Sequence, residues 1–350
     1  MSYVRPTVRH PDAAKNSLGY TRKHYEGTIS SLCAGCGHDS ITNAIITVCF
    51  EMDLEPHHIV KLSGIGCSSK TPAYFLGNSH GFNSVHGRMP SVATGANMAN
   101  RDLIYLGVSG DGDTASIGIG QFAHVVRRNL DMVYIVMNNG CYGLTKGQDS
   151  ATADKGSKTK KGHPVELESI DLCEMAIQGG AGFVARGFSG DRKQVVTMLK
   201  AAFTHKGFAF LDIISPCVSF NNASTSTKSY SWVREHMETT HPCDFIPYIE
   251  EITTDYSNGS ATPITLHDGS TLKLCKLADK VDMTSRSTAI AELEKSKEEK
   301  HILTGILYLD PESKDTHEIL ETSTTPLNSM DEGDLCPGNK VLQKINESFR

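Results

Sequence analysis

The chain has 350 residues, 39% hydrophobic and 21% charged, with 31 glycines and a formal net charge of −6. This composition suits a large, loop-rich α/β domain with an appendage, and the acidic balance argues against a nucleic-acid binder. No apolar run approaches the ~20 residues that span a bilayer, and the opening MSYVRPTVRHPDAAK has no apolar core of the secretory kind, so a cytoplasmic protein without membrane contact is expected.

Residues 1–30 read as a polar, irregular arm. The stretch CAGCGH, Cys33 to His38, follows and carries two thiols at close spacing. The ten cysteines stand at 33, 36, 49, 67, 141, 173, 217, 243, 275 and 336, and only the first two form a close pair. In an intracellular protein thiols at this density favour metal binding or catalysis over disulfides. The residues alone leave three readings of the pair: half of a metal site, a redox disulfide, or a Gly-rich turn. Any four-cysteine site has to be assembled across the fold.

ITNAIITVCFEMDL has helical apolar spacing, with Asp39 or Ser40 expected as its cap and Cys49 on its apolar face. IVKLSG is a short buried strand that breaks into a Gly-rich turn, GIGCSS. HGRMPSVATGANMAN starts as a loop and becomes a helix of small residues. DLIYLGVSGDGD is an apolar strand ending in a turn, TASIGIGQFAHVVRRN is an amphipathic helix, and MVYIVMNNG is a second apolar strand ending in a turn. Strand, helix and strand at this spacing make a right-handed βαβ unit, and continuously apolar strands belong in a parallel sheet covered on both faces.

Residues 145–163, TKGQDSATADKGSKTKKGH, are polar and Lys-rich and are expected to form a mobile loop. Another αβ segment runs from ESIDLCEMAIQGG through GFVARG and RKQVVTMLKAAFTH to FAFLDIISPC. The expected division is therefore an arm over 1–30, a domain over 31–220, and a C-terminal extension over 221–350 with small elements that contact a partner.

GDGD at 110–113 and NNG at 138–140 end two successive parallel strands, so both turns open toward the crevice where ligands of such sheets bind. Either turn alone is only a tight turn. Together they bring Asp111 and Asn139 onto one hard cation, with the main-chain carbonyl of Cys141 as a third oxygen and phosphate and water completing a magnesium site. Gly110 and Gly112 permit close backbone approach, and the helix start after Asp113 favours phosphate. The pair GDG…NN matches the thiamine diphosphate signature.

The stretch GDGD…IGIGQFAHVVRRNLDMVYIVMNNGCYGLTKGQ, with CAGCGH, GIGCSS and HGR, resembles the β-subunits of 2-oxoacid:ferredoxin oxidoreductases over residues 30–220, with thinner likeness in TGILYLDPES and TTPLN. The resemblance implies the thiamine-diphosphate-binding α/β fold, a mostly parallel sheet with helices on both faces. It also implies one [4Fe–4S] cluster on Cys33, Cys36, Cys67 and Cys217, thiolates being the usual ligands. Ile65, Gly66, Cys67 and Ser68 are implied between cluster and cofactor, His86 beside the cofactor, and Gly112, Asp113, Gly143 and Leu144 along the diphosphate and thiazolium. The remaining cysteines are read as core or surface residues.

The implied reaction is oxidative decarboxylation of a 2-oxoacid, with the acyl group passed to coenzyme A and two electrons passed through the cluster to ferredoxin. The reverse, reductive carboxylation (CO2 fixation in a reductive TCA cycle), uses the same residues. The glutamate that activates thiamine comes from an α-subunit in this family, so an αβ or α2β2 complex is implied. Lys70 and Lys146 are candidates for a distal carboxylate, which favours 2-oxoglutarate over pyruvate or a broad range of 2-oxoacids. The 145–163 loop is a candidate contact for coenzyme A or acidic ferredoxin. Two competing classes are a non-oxidative thiamine decarboxylase, which has no use for four cysteines, and a zinc-stabilised interaction protein, which has none for the magnesium constellation.

Overall fold

The strands at the centre are apolar on both sides, and the sheet they form is covered accordingly. The computed structural model describes residues 12–157, 162–222, 226–239, 282–336 and 338–349, together with the backbone of 261–265 and 271–275. In chain order the first half contains α1 (Gly37–Glu51), β1 (Ile59–Ser63), β2 (His80–Asn83), α2 (Met89–Ala99), β3 (Ile104–Gly110), α3 (Ile119–Arg128), β4 (Met132–Asn138) and a short hairpin, β5 (Cys141–Tyr142) with β6 (Gln148–Asp149). Next come α4 (Leu172–Gly179), β7 (Phe183–Phe188), α5 (Arg192–Thr204), β8 (Phe208–Ile214), α6 (Tyr230–His236) and β9 (Met237–Thr239). The hairpin β10 (Ala261–Thr265) and β11 (Thr271–Cys275), then α7 (Arg286–Glu298), β12 (Ile302–Leu309) and three short helices complete the described chain.

The main sheet has eight strands in the order β2-β1-β3-β4-β8-β7-β12-β9. The six from β2 to β7 are mutually parallel. β4 is buried at every residue. Its Tyr134 and Val136 join Phe208 and Phe210 of β8 on one face, under Phe122 of α3, whose ring lies 5.0 Å from that of Phe210. Val133, Ile135 and Met137 point the other way, with Ala209, Leu211 and Ile213, against α1 and α5. Each large side chain so buried contributes about 1.5–3 kcal/mol. Period-two alternation between two apolar faces is what a doubly covered parallel sheet requires.

The sheet does not stop at residue 220. β12 lies antiparallel on β7, pairing Gly305 with Arg186 and Leu309 with Phe183, and β9 lies on its far side. The run ILTGILYL is apolar enough to be covered by Ala289 and Leu293 of α7. The C-terminal part thus supplies two sheet strands as well as peripheral elements. The N-terminal arm is also anchored, because Tyr25 is fully buried with its ring edge-on to Phe50. Cys243 lies outside the described residues, and Cys275 is described in backbone only.

Two local expectations need correction. The cap of α1 is Cys36, not Asp39 or Ser40. The tight turn from Cys33 to Cys36 delivers the chain there, and the N–H of Gly37 reaches the carbonyl of Pro216 at 3.5 Å. The helix expected from Thr114 onward is broken: Gly112–Ile117 forms a wide π-type turn and α3 begins after Gly118. The cause is a crossing of backbones, since a Cβ at Gly87 would lie 2.7 Å from the Cα of Gly118. Two glycines let the HGR loop touch the GDG turn.

Candidate functional site

The carboxyl ends of β1, β3, β4 and β8 all lie along one edge of the sheet, and the segments that leave them form the site. GIGCSS follows β1, GDGD follows β3, NNGCYG follows β4 and SPC follows β8. The widely spaced motifs of the sequence are therefore neighbours because each sits at the same end of an adjacent strand.

Asp111 is buried just below this edge. Its Oδ1 accepts the N–H of Asn139 at 3.2 Å, and its Oδ2 accepts the hydroxyls of Ser150 and of Thr152, the latter at 2.9 Å. Burial raises the pKa of Asp111, and these three neutral donors oppose the rise. The Oδ1 of Asn139 accepts the N–H of Cys141 at 3.1 Å, and the Asn139 carbonyl is held by Asn221 Nδ2 at 2.8 Å. A buried carboxylate contacted by neutral donors, beside an amide oxygen and the turn at Cys141, is a donor set suited to a hard divalent cation.

Above it opens a cleft lined by Ile65, Gly66, Cys67, Ser68, His86, Gly112, Asp113, Asn139, Cys141, Gly143 and Leu144. All nine residues expected along thiamine diphosphate line this one cleft. His38, Met137 and Tyr142 line it too, and no local motif marks them as cleft residues. Asp113 uses its carboxylate to tie the HGR loop down: Oδ1 accepts the Gly87 N–H at 2.9 Å and stands 3.0 Å from His86 Nδ1, while Oδ2 accepts the Ser109 hydroxyl at 3.0 Å.

The four expected cluster cysteines meet at the end of the cleft. Cys36 feels the charges of Cys217 and Cys67, and Cys67 those of Cys217 and Cys33. Burial pushes Cys36 up to about 12, whereas the neighbouring Cys141 thiol and the N–H groups of Ser219, Phe220 and Asn221 lower the pKa of Cys217. The Cys141 side chain therefore engages a neighbouring sulfur. The Ser219 hydroxyl points at Cys33 Sγ from 3.6 Å. A Cβ on Gly143 would stand 3.5 Å from Cys67 Sγ and 3.7 Å from Cys217 Sγ. The missing side chain leaves a cradle faced by two thiols, at a residue that also lines the cleft. Anchored thiols from three segments fit an iron–sulfur cluster.

With this geometry in hand, comparison with known proteins gives a consistent answer. Residues 64–213 match the family described as thiamine pyrophosphate enzyme, C-terminal TPP binding domain. The chain is 41% identical over 194 residues to a 2-oxoacid:ferredoxin oxidoreductase subunit beta of Sulfolobus sp, covering 55% of this chain and 64% of that one. It is 38% identical over 189 residues to the 2-oxoglutarate synthase subunit KorB of Methanocaldococcus jannaschii, covering 54% and 69%. The chain belongs to the β-subunit family of 2-oxoacid:ferredoxin oxidoreductases. A solved 2-oxoglutarate:ferredoxin oxidoreductase from Magnetococcus marinus, with 2-oxoglutarate, coenzyme A and succinyl-CoA bound, superposes with a TM-score of 0.69 at 26% identity, covering 93% of this chain and 97% of that one. The match to the Sulfolobus relative spans just under two thirds of its length.

Within this family member the two candidate substrate lysines are placed differently. Lys70 lines a second cavity of about 520 Å3 with Lys61, Ser69, Tyr74 and Phe82, and its charge opposes the rise that burial imposes on the Cys67 pKa. Lys146 is exposed at the tip of the β5–β6 hairpin with φ +80°, a left-handed conformation uncommon for a side-chain-bearing residue. The loop expected to be mobile over 145–163 is anchored in its first part. Ser150 and Thr152 are buried against Asp111, while residues 158–161 lie outside the described set. The hydroxyls of QDSATAD were the signal for this contact, hidden in a stretch of loop composition. Among the described residues no helix is long and apolar enough to cross a membrane.

Proposed function

We propose that this chain is the thiamine- and cluster-bearing β-subunit of a coenzyme A-dependent 2-oxoacid:ferredoxin oxidoreductase whose substrate is 2-oxoglutarate. In the oxidative direction, 2-oxoglutarate, coenzyme A and two oxidised ferredoxins give succinyl-CoA, CO2, a proton and two reduced ferredoxins; reductive carboxylation is the reverse. The observation that carries the reading is Gly143, which faces two cysteine sulfurs on one side and the cofactor cleft on the other.

Thiamine diphosphate supplies, when bound, the electron sink for loss of CO2, and a [4Fe–4S] cluster supplies one-electron chemistry. Asp111, Asn139 and the Cys141 carbonyl would hold Mg2+, while Gly112, Asp113, Ile65 to Ser68, His86, Gly143 and Leu144 would enclose the cofactor. Cys33, Cys36, Cys67 and Cys217 would hold the cluster. A mononuclear zinc is disfavoured by spacing. Tetrahedral zinc with sulfurs at ~2.3 Å brings them within about 4 Å of one another, whereas among the described residues no three cysteine sulfurs lie mutually within 4.8 Å. The names of the Methanocaldococcus relative and the Magnetococcus structure support 2-oxoglutarate. Lys70 is the residue we assign to its distal carboxylate, with Lys146 as a second cation.

The activating glutamate is assigned to an α-subunit, so the working unit is a cytoplasmic αβ or α2β2 complex that meets ferredoxin. The test is anaerobic co-expression with the α-subunit, iron and sulfide analysis, and a substrate panel. Near-stoichiometric iron and sulfide with 2-oxoglutarate preferred supports the proposal; a colourless, zinc-containing protein refutes it. If Lys70→Ala leaves the preference between 2-oxoglutarate and pyruvate unchanged, Lys70 does not read the distal carboxylate.

A further inference from the structure

The carboxylate of Asp111 is oriented by residues that neither the signature motif nor the strand ends supply. Ser150 and Thr152 follow the β5–β6 hairpin, and both are buried beneath the strand edge, at 5% and 2% exposure. Both hydroxyls reach the same oxygen, Oδ2. Two hydroxyls crowd Oδ2, whereas no side chain hydrogen-bonds Oδ1 among the described residues, and the Asn139 N–H approaches it at 3.2 Å. The oxygen left for a cation is therefore Oδ1.

The Thr152 hydroxyl has one proton and three oxygens within reach, Asp111 Oδ2 and Asn138 Oδ1 at 2.9 Å and Ser150 Oγ at 3.0 Å, of which the carboxylate, when charged, is the strongest acceptor. Asn138 is not free to turn over. Its Nδ2 donates to Asp212 Oδ1 at 3.0 Å, a carboxylate that only accepts, so its Oδ1 must face Thr152. Asp212 is fixed in turn by Arg186 Nε at 3.2 Å, and Arg186 binds Asp171 at 2.5 Å. A buried chain of polar contacts thus runs from Asp111 across β4, β8 and β7, and Thr152 is its link to the carboxylate.

We propose that Thr152 and Ser150 are positioning residues of the cation site: their hydroxyls hold Oδ2 of Asp111 so that Oδ1 is presented to the divalent cation. The inference rests on the reading of Asp111 as a cation ligand. Outer partners of this kind are worth about 10–100-fold in metal affinity. A charged carboxylate needs the proton of Thr152, and a valine of nearly the same shape cannot supply it.

The test uses the αβ complex, freed of divalent cations and titrated with Mg2+ at fixed thiamine diphosphate, with cofactor binding read by quenching of protein fluorescence. Mn2+ titration followed by electron paramagnetic resonance gives a direct second readout. Asp111→Asn is the control: if the wild type shows no cation dependence, or Asp111→Asn keeps it, the cation reading itself is wrong. If both behave as that reading requires, Thr152→Val is expected to raise the half-saturating Mg2+ and Mn2+ concentrations about tenfold or more, and Thr152→Ser to stay within about twofold of wild type, with iron content unchanged in both. An unshifted Thr152→Val overturns the inference, as does equal loss in Thr152→Ser, which would mean packing and not the hydroxyl. Should Thr152→Val fail to fold, Ser150→Ala is read by the same criteria.

Discussion

The Nδ1 of His38 and the hydroxyl of Ser215 lie 2.5 Å apart, although 177 positions separate them in sequence. Each stands two residues from an expected cluster ligand, His38 after Cys36 and Ser215 before Cys217. Both are buried, and burial lowers the His38 pKa to about 4, so a neutral imidazole meets the hydroxyl at neutral pH. The contact fastens the start of α1 to the end of β8, and so fixes the separation of two thiols that no local sequence relates.

Ser215→Ala is therefore expected to loosen the cluster while sparing the cation corner. Outer partners of metal ligands are worth about 10–100-fold, so iron loss in air should be about tenfold faster than in wild type. Mg2+-dependent binding of thiamine diphosphate should change little. Equal rates of iron loss would mean that the contact does not hold the ligands.

Gly143 gives a sharper test of the shared wall. Its backbone is outside the left-handed region, and a Cβ there would already touch the sulfurs of Cys67 and Cys217 at 3.5 and 3.7 Å, so further branches must press on them. Gly143→Val would press methyl groups between the sulfurs of Cys67 and Cys217 and into the cleft. Iron content should fall to less than about a tenth, and thiamine diphosphate affinity should drop with it, since a buried methyl without room costs about 1–3 kcal/mol. A variant with full iron and normal cofactor binding would show that the wall lies elsewhere.

Much of this arrangement was legible in the residues. GDG and NNG announced strand ends because apolar runs led directly into them, and the parallel βαβ reading followed from spacing. The assignment of Cys67 and Cys217 as partners of Cys33 and Cys36 rests on the resemblance to a family, because nothing local marks them. Ser150 and Thr152 stayed hidden for a physical reason: hydroxyls in a Lys-rich loop look solvated, and only the fold tucks them under Asp111. The break before α3 was hidden likewise, since Gly118 is an ordinary helix interruption until Gly87 crosses it. β12 was missed because its pairing is antiparallel and long-range, decided by the open edge of β7.

Lys61 supports the turn that carries Cys67 and Lys70. It is buried in β1 and donates to three carbonyls, Pro72 at 2.7 Å, Phe75 at 2.8 Å and Leu76 at 2.9 Å. Burial lowers its pKa to about 8, so at pH 7 it still carries the three protons that these acceptors need. Lys61→Met keeps the length and removes the donors; the Leu76 carbonyl keeps the N–H and hydroxyl of Ser79, whereas those of Pro72 and Phe75 lose their donor, at about 1–3 kcal/mol each. Chemical denaturation of the complex at pH 7 should show a loss of about 2 kcal/mol or more. A loss under about 1 kcal/mol would mean that the carbonyls find other donors.

His205 sets a different dependence, on acidity. Its Nε2 is buried without a hydrogen-bond partner among the described residues, and burial lowers its pKa from 6.5 to about 4 against a smaller opposing pull from Asp310. The unfolded chain takes up its proton near pH 6.5 and the folded chain only near 4, so between these values the unfolded state binds more protons. Stability is then fully present above pH 6.5 and is lost as pH falls toward 4, by at most about 1.4 kcal/mol per pH unit. His205→Leu removes this proton uptake in a site faced by the Phe183 ring, 5.7 Å away. Between pH 7.5 and 5 the variant should lose roughly 1–2 kcal/mol less than wild type, since every other histidine contributes equally to both. Denaturation midpoints measured at half-unit steps give the comparison, and parallel curves for the two proteins would place the acid sensitivity in another group.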